Sequence, residues 1–163
     1  MVNAKINKSK GGTTMQKMPV GLVMVQIKQL QSRIIEKLLK ETLSEDSINS
    51  AQINIMYQLW EEDDITISEL SKRTQLANTS LTTMLDRLEA QGQILRCRNE
   101  KNRREIRIKL TEQARNLKDN ALDILNTMHG INFNGFTSEE ENQMYDFLYR
   151  MKSNLETYST QQK

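Results

Sequence analysis

The sequence predicts a mainly α chain carrying a small two- or three-stranded β wing. Three observations lead there. Apolar residues recur at helical spacing along most of the 163 residues, with one Pro and six Gly to interrupt them. Two short runs, 94–98 and 105–110, alternate apolar with charged side chains as half-buried strands do. Between them lies a polar, basic stretch, 99–104, suited to the tip of a hairpin. Composition agrees: 37% apolar and 27% charged residues describe one helix-rich folding unit, long enough to bury a core.

Residues 1–19 read as a flexible basic tail, with lysines at 5, 8, 10 and 17. The apolar run 18–25 imitates a signal peptide. It is too short to span a bilayer, lacks a small-residue cleavage pattern and merges into a helix near Val20, so no membrane partner is expected. That helix, 20–42, places Val23, Ile27, Leu30, Ile34 and Leu38 on one stripe. After a loop, a second helix over 50–62 carries Ile53, Met56, Tyr57 and Trp60, with Trp60 expected in the core. The acidic turn Glu61 to Asp64 ends it.

Thr66 or Ser68 can cap the next helix, which runs to about Arg73 with Glu69 favourably placed in its first turn. A turn of three or four residues leads to a helix from Asn78 or Thr79 to Gly92, which can adopt the left-handed terminal conformation. Two helices joined this tightly form a helix-turn-helix, and the basic hairpin that follows gives the order of a winged helix. Beyond it, a helix from Thr111 to about Gly130 turns Leu117, Ala121, Ile124, Leu125 and Met128 inward. Thr137 and Glu140 form a capping box for a last helix striped by Met144, Phe147, Leu148, Met151 and Leu155. The full expectation is one unit over 20–163: a winged helix-turn-helix lobe, 50–110, plus a helical dimerisation layer, 20–49 and 111–163.

Charge is segregated. From Glu36 to Glu69 nine acids face two bases; from Arg87 to Lys109 eight bases face three acids, a local +5 that suits phosphates. The second helix of a helix-turn-helix presents its N-terminal half to the major groove, so its outward side chains must be polar. Here they are Asn78, Thr79, Ser80, Thr82, Thr83 and Arg87, backed by Leu81, Met84, Leu85 and Leu88. Asn78, Thr79 and Ser80 are equally ordinary helix caps, and that reading stands beside the DNA-contacting one. In the hairpin tip, Lys101, Asn102, Arg103 and Arg104 are the candidate contacts to double-stranded DNA.

These residues resemble the MarR family of regulators. The resemblance rests on 65–76, on Leu85-Asp86-Arg87-Leu88-Glu89 with Gly92, on Asn102 to Arg104, and on Ile108 to Thr111, in the family's order and spacing. It implies a cytoplasmic homodimer whose two lobes address successive half-sites of a palindrome, a repressor role and Arg104 in the minor groove. The chain departs from the family in Asn102, where an Asp usually orients the arginine, and in Thr83, where many members have Arg. Relatives respond to small-molecule effectors or to cysteine oxidation. This sequence favours neither, since Cys97 reads as a small strand residue and His129 as a solvated side chain. One Cys and one His exclude a disulfide within the chain and the usual structural zinc site. No phosphate loop, HExxH or nucleophile elbow is present, so neither an enzyme nor a cofactor is expected. The alternative is a winged helix module used for protein association. Such a module should expose apolar anchors on its second helix, and this one is polar.

Overall fold

A computed structural model of the chain describes residues 17–43, 47–98 and 105–161. Its elements run α1 (Val20–Thr42), α2 (Ile53–Glu61), β1 (Ile65–Thr66), α3 (Ile67–Thr74), α4 (Asn78–Ala90), β2 (Ile94–Arg98), β3 (Ile106–Leu110), α5 (Glu112–Asn116), α6 (Lys118–Asn132) and α7 (Ser138–Gln161). Most of the expected basic tail, and the hairpin tip with Lys101, Asn102, Arg103 and Arg104, lie outside the described residues.

The strands form one antiparallel sheet ordered β1-β3-β2. Ile94 pairs with Leu110 and Arg98 with Ile106, so the alternation read from sequence places Ile108 and Leu110 in the core and Arg107 and Lys109 on the outer face. β1 is the third strand; its Ile65 pairs with Ile108 and its Thr66 with Arg107. The core lies where α2, α3 and α4 meet this sheet. Ile55, Met56, Leu59, Leu70, Leu81, Leu85, Leu88, Ile94 and Ile108 are fully buried there. Trp60 is buried as expected, and its Nε1 donates to Ala114 O at 2.9 Å, joining α2 to α5.

Two helix boundaries differ from those expected. The second helix starts at Ile53 rather than Ser50, because the Asn49 side chain accepts from Ala51 N and Gln52 N and closes a turn first. The expected helix over 111–130 is two helices meeting at Leu117, with Thr111 capping α5 by accepting from Ala114 N at 3.1 Å. Only the C-terminal part of α1 reaches the core: Leu39 is buried and Ile35 and Leu38 pack on it, whereas Val23, Ile27 and Leu30 are exposed. α1 packs along α6, with Gln31 Nε2 donating to Asn132 Oδ1 at 3.1 Å. The capping box of α7 is formed, Glu140 N donating to Thr137 Oγ1 at 3.2 Å and Thr137 N to Glu140 Oε2 at 2.9 Å. Yet α7 buries none of its residues within the chain.

Candidate nucleic-acid interface

The helix-turn-helix is built by α3, a three-residue turn and α4. Thr66 caps α3, its hydroxyl accepting from Glu69 N at 3.1 Å, and Gln75 ends it in the left-handed region at φ 56°. The N-cap of α4 is Ala77, which offers no side chain to the helix. Asn78, Thr79 and Ser80 are therefore not its caps. Asn78 instead faces the turn, where Ser71 Oγ lies 3.1 Å from Asn78 Oδ1 and 3.0 Å from Leu76 O, with one hydroxyl proton to serve either. Thr83 returns its hydroxyl to Thr79 O at 3.1 Å and keeps its lone pairs outward.

The helix divides cleanly. Leu81, Leu85 and Leu88 are fully buried and Met84 half-buried, while Asn78, Thr79, Ser80, Thr82, Thr83 and Arg87 are all exposed. Past its end, Gly92 takes φ +69°, a conformation in which a side chain would be strained. The chain thus turns sharply enough for β2 to run beneath α4.

Of the five bases of the patch that lie among the described residues, three are already paired. Arg96 Nη1 sits 2.7 Å from Asp86 and 3.1 Å from Glu89, and Nη2 donates to Thr82 O at 3.4 Å, so this arginine ties β2 to one flank of α4. Arg107 Nε donates to Asp64 Oδ1 at 2.9 Å and Nη1 to Glu105 at 3.4 Å; Lys109 Nζ lies 3.4 Å from Asp64 Oδ2. Arg87 and Arg98 have no ion pair among the described residues and are exposed. Of the patch's described bases, those two are the ones whose charge is not engaged by an acid of the described residues.

The acidic turn is not simply a solvated, DNA-repelling edge. Glu62 pairs with Arg73 of α3, Asp63 with Arg115 of α5 at 2.8 Å, and Asp64 with β3. Burial pushes the Asp63 carboxyl up, but hydrogen bonds from Arg115, Leu110 N and Asp64 N outweigh it and hold the group below its ordinary value. The Asp64 carboxyl is held down chiefly by its hydrogen bond from Arg107. The partnerships of Asp63 and Asp64 could not be read from sequence, since the residues stand 52 and 43 positions apart.

Cys97 is half-buried opposite Arg107 on the outer face of the sheet, whereas strand alternation turns its neighbours Arg96 and Arg98 to the other face. His129 packs against Phe133 at 5.0 Å and lies 3.1 Å from Glu141. Among the described residues no group of three or more His, Cys, Asp or Glu could hold a metal ion, and no helix is long and apolar enough to cross a membrane.

Comparison with known proteins places this geometry. Residues 48–106, from the approach to α2 to the first residue of β3, match the MarR family. An organic hydroperoxide resistance transcriptional regulator of Bacillus subtilis is 33% identical over 124 residues, covering 76% of this chain and 83% of that protein. A MarR transcriptional regulator from Methanosarcina mazei superposes with a TM-score of 0.74 at 24% identity, over 83% of this chain and 94% of that one. A mutant MarR from E. coli, solved in complex with operator DNA, superposes with a TM-score of 0.73 at 23% identity, over 82% and 94%. The family match falls on the segment that holds the helix-turn-helix, β1 and β2, and the identity to the Bacillus regulator covers about twice that length. This chain belongs to the MarR family of transcriptional regulators.

Proposed function

We propose that the chain represses transcription as a cytoplasmic homodimer bound to a palindromic operator. The observation that carries this reading is the split of α4 into a fully buried leucine face and an exposed face of small polar residues and one arginine. A helix so divided fits the major groove, where short hydroxyl and amide side chains reach base edges. Asn78, Thr79, Ser80, Thr82 and Thr83 would make those contacts and Arg87 would meet a phosphate, while Lys101, Asn102, Arg103 and Arg104 would extend the interface from the hairpin tip, Arg104 into the minor groove and Lys101 and Arg103 to phosphates. Exposed apolar anchors are missing from this face of α4, which disfavours the protein-association alternative. The operator-bound E. coli relative supports the same assignment.

An effector, if the chain answers to one, would act where the lobe meets the long helices. A groove of about 420 Å³ lies there between Gln75 and the α7 residues Leu148, Met151 and Leu155. Selection of bound duplexes from a random pool tests the reading. It should return a palindrome with half-sites about 10 base pairs apart, centre to centre. An unsplit or absent consensus would overturn it.

A further inference from the structure

The base of the hairpin is held on its inner face by the buried Ile94, Ile108 and Leu110, and β2 is tied to α4 by Arg96; its outer face is held differently. Among the described residues its strand neighbour is β1, which supplies two paired positions, Ile65 with Ile108 and Thr66 with Arg107. On that outer face β3 is gripped by Asp64. Asp64 stands in the left-handed region at φ 57°, uncommon for a residue with a side chain, and this bend aims both its carboxylate and its carbonyl at β3. Arg107 donates Nε to the carboxylate and Nη2 to the backbone carbonyl of Asp64, while Lys109 approaches the second carboxylate oxygen. Paired hydrogen bonds from one guanidinium to two acceptors on one residue fix direction as well as distance.

We propose that Asp64 is the positioning residue of the wing: it clamps Arg107 on β3, fixes the base of the hairpin against the turn before β1, and engages two cations that would otherwise be free for phosphates. The assignment rests on the hairpin being the DNA-contacting wing. Its consequence is unusual for an acid near a nucleic-acid surface, since losing this charge should weaken recognition rather than relieve repulsion.

The test compares wild type, Asp64→Asn, Asp64→Gly, Arg107→Gln and the double variant Asp64→Asn with Arg107→Gln. Asn and Gly both accept the left-handed backbone, so the turn survives if either folds. Binding is titrated on the selected operator with A·T-rich or G·C-rich flanks at several salt concentrations. Each single variant should lose about five- to tenfold in flank discrimination, the lower end of what one positioned arginine contributes. The double variant should lose no more than either alone, as partners in one contact do. The salt slope should not flatten in Asp64→Asn, and backbone amides of 106–109 should exchange faster in the free protein. Wild-type discrimination in both Asp64 variants overturns the proposal, as does a strictly additive double variant. A slope flattened by about one unit in Arg107→Gln, with Asp64→Asn unchanged, would make Arg107 a phosphate contact instead. If wild type itself ignores the flanks, the wing reading fails, and this one with it.

Discussion

At the scale of single residues, Asp63 shows how one side chain organises a junction. Its carboxylate accepts from Leu110 N at 2.8 Å, Asp64 N at 2.7 Å and Arg115, joining the end of α2 to the end of β3 and to α5. Hydrogen bonds to a charged acceptor are stronger than neutral ones, and they are made only while the group is ionised. Its pKa is depressed in the folded chain, so the unfolded chain binds the proton more readily. The stability Asp63 contributes is therefore complete at neutral pH and is lost as pH falls from about 4, the unfolded value, through the lower folded one. Urea unfolding should give a midpoint that drops on the acid side, and Asp63→Asn should lower the neutral midpoint while shallowing that drop. An unchanged acid limb in the variant would remove Asp63 from this role. A sequence reader sees four acids in a row and infers a solvated turn. The partners become visible only once three other elements are placed around it.

At the scale of elements, the tie between β2 and α4 decides what the basic patch is for. Thr82, Asp86 and Glu89 line one flank of α4 at helical spacing, and Arg96 reaches all three from the strand below. Arg96 thus serves the fold, and under the proposed reading Arg87, exposed on α4, is the base left for DNA. Arg87→Gln should weaken operator and random duplex alike and flatten the salt dependence by about one unit. Arg96→Gln should leave the slope intact and reduce the ratio of specific to random binding, because the reading helix is no longer held on its flank. Equal slopes in the two variants would show that the division is wrong. The long helices and both hairpin strands were legible because periodicity over five residues or more reports which face is buried. β1 was not, since two residues cannot alternate. Nor was the break at Leu117, where no Pro or Gly marks the change from α5 to α6.

At the scale of the whole molecule, the apolar stripes read in α1 and α7 are present and uncovered. Val23, Ile27 and Leu30 on α1 and Phe147, Leu148 and Leu155 on α7 remain exposed, Leu155 at 67%. A mainly apolar groove of about 780 Å³ runs between Ile27, Phe133, Phe136 and Met144. Exposed apolar surface this continuous marks an interface, and a two-fold dimer would cover the same patch on both chains. Sedimentation at micromolar concentration without DNA should give a single species of twice the chain mass. A soluble, folded monomer would refute the assignment of the terminal helices to a dimerisation layer. The sequence could predict that these faces seek a partner, because stripe length exceeds what a small lobe can bury. It could not locate the groove, which depends on how α6 turns back at Gly135, φ +85°, into α7.

The three pairings of Glu62, Asp63 and Asp64 with α3, α5 and β3 also constrain the length of the chain. Consecutive residues addressed to three different elements work like teeth of a key: their order matters as much as their charge. One residue inserted between Glu62 and Asp64, even another acid, would hand each base the wrong neighbour and move the left-handed bend off the position that faces Arg107. Variation in this lobe should therefore proceed by substitution at these positions, and changes of length should collect elsewhere.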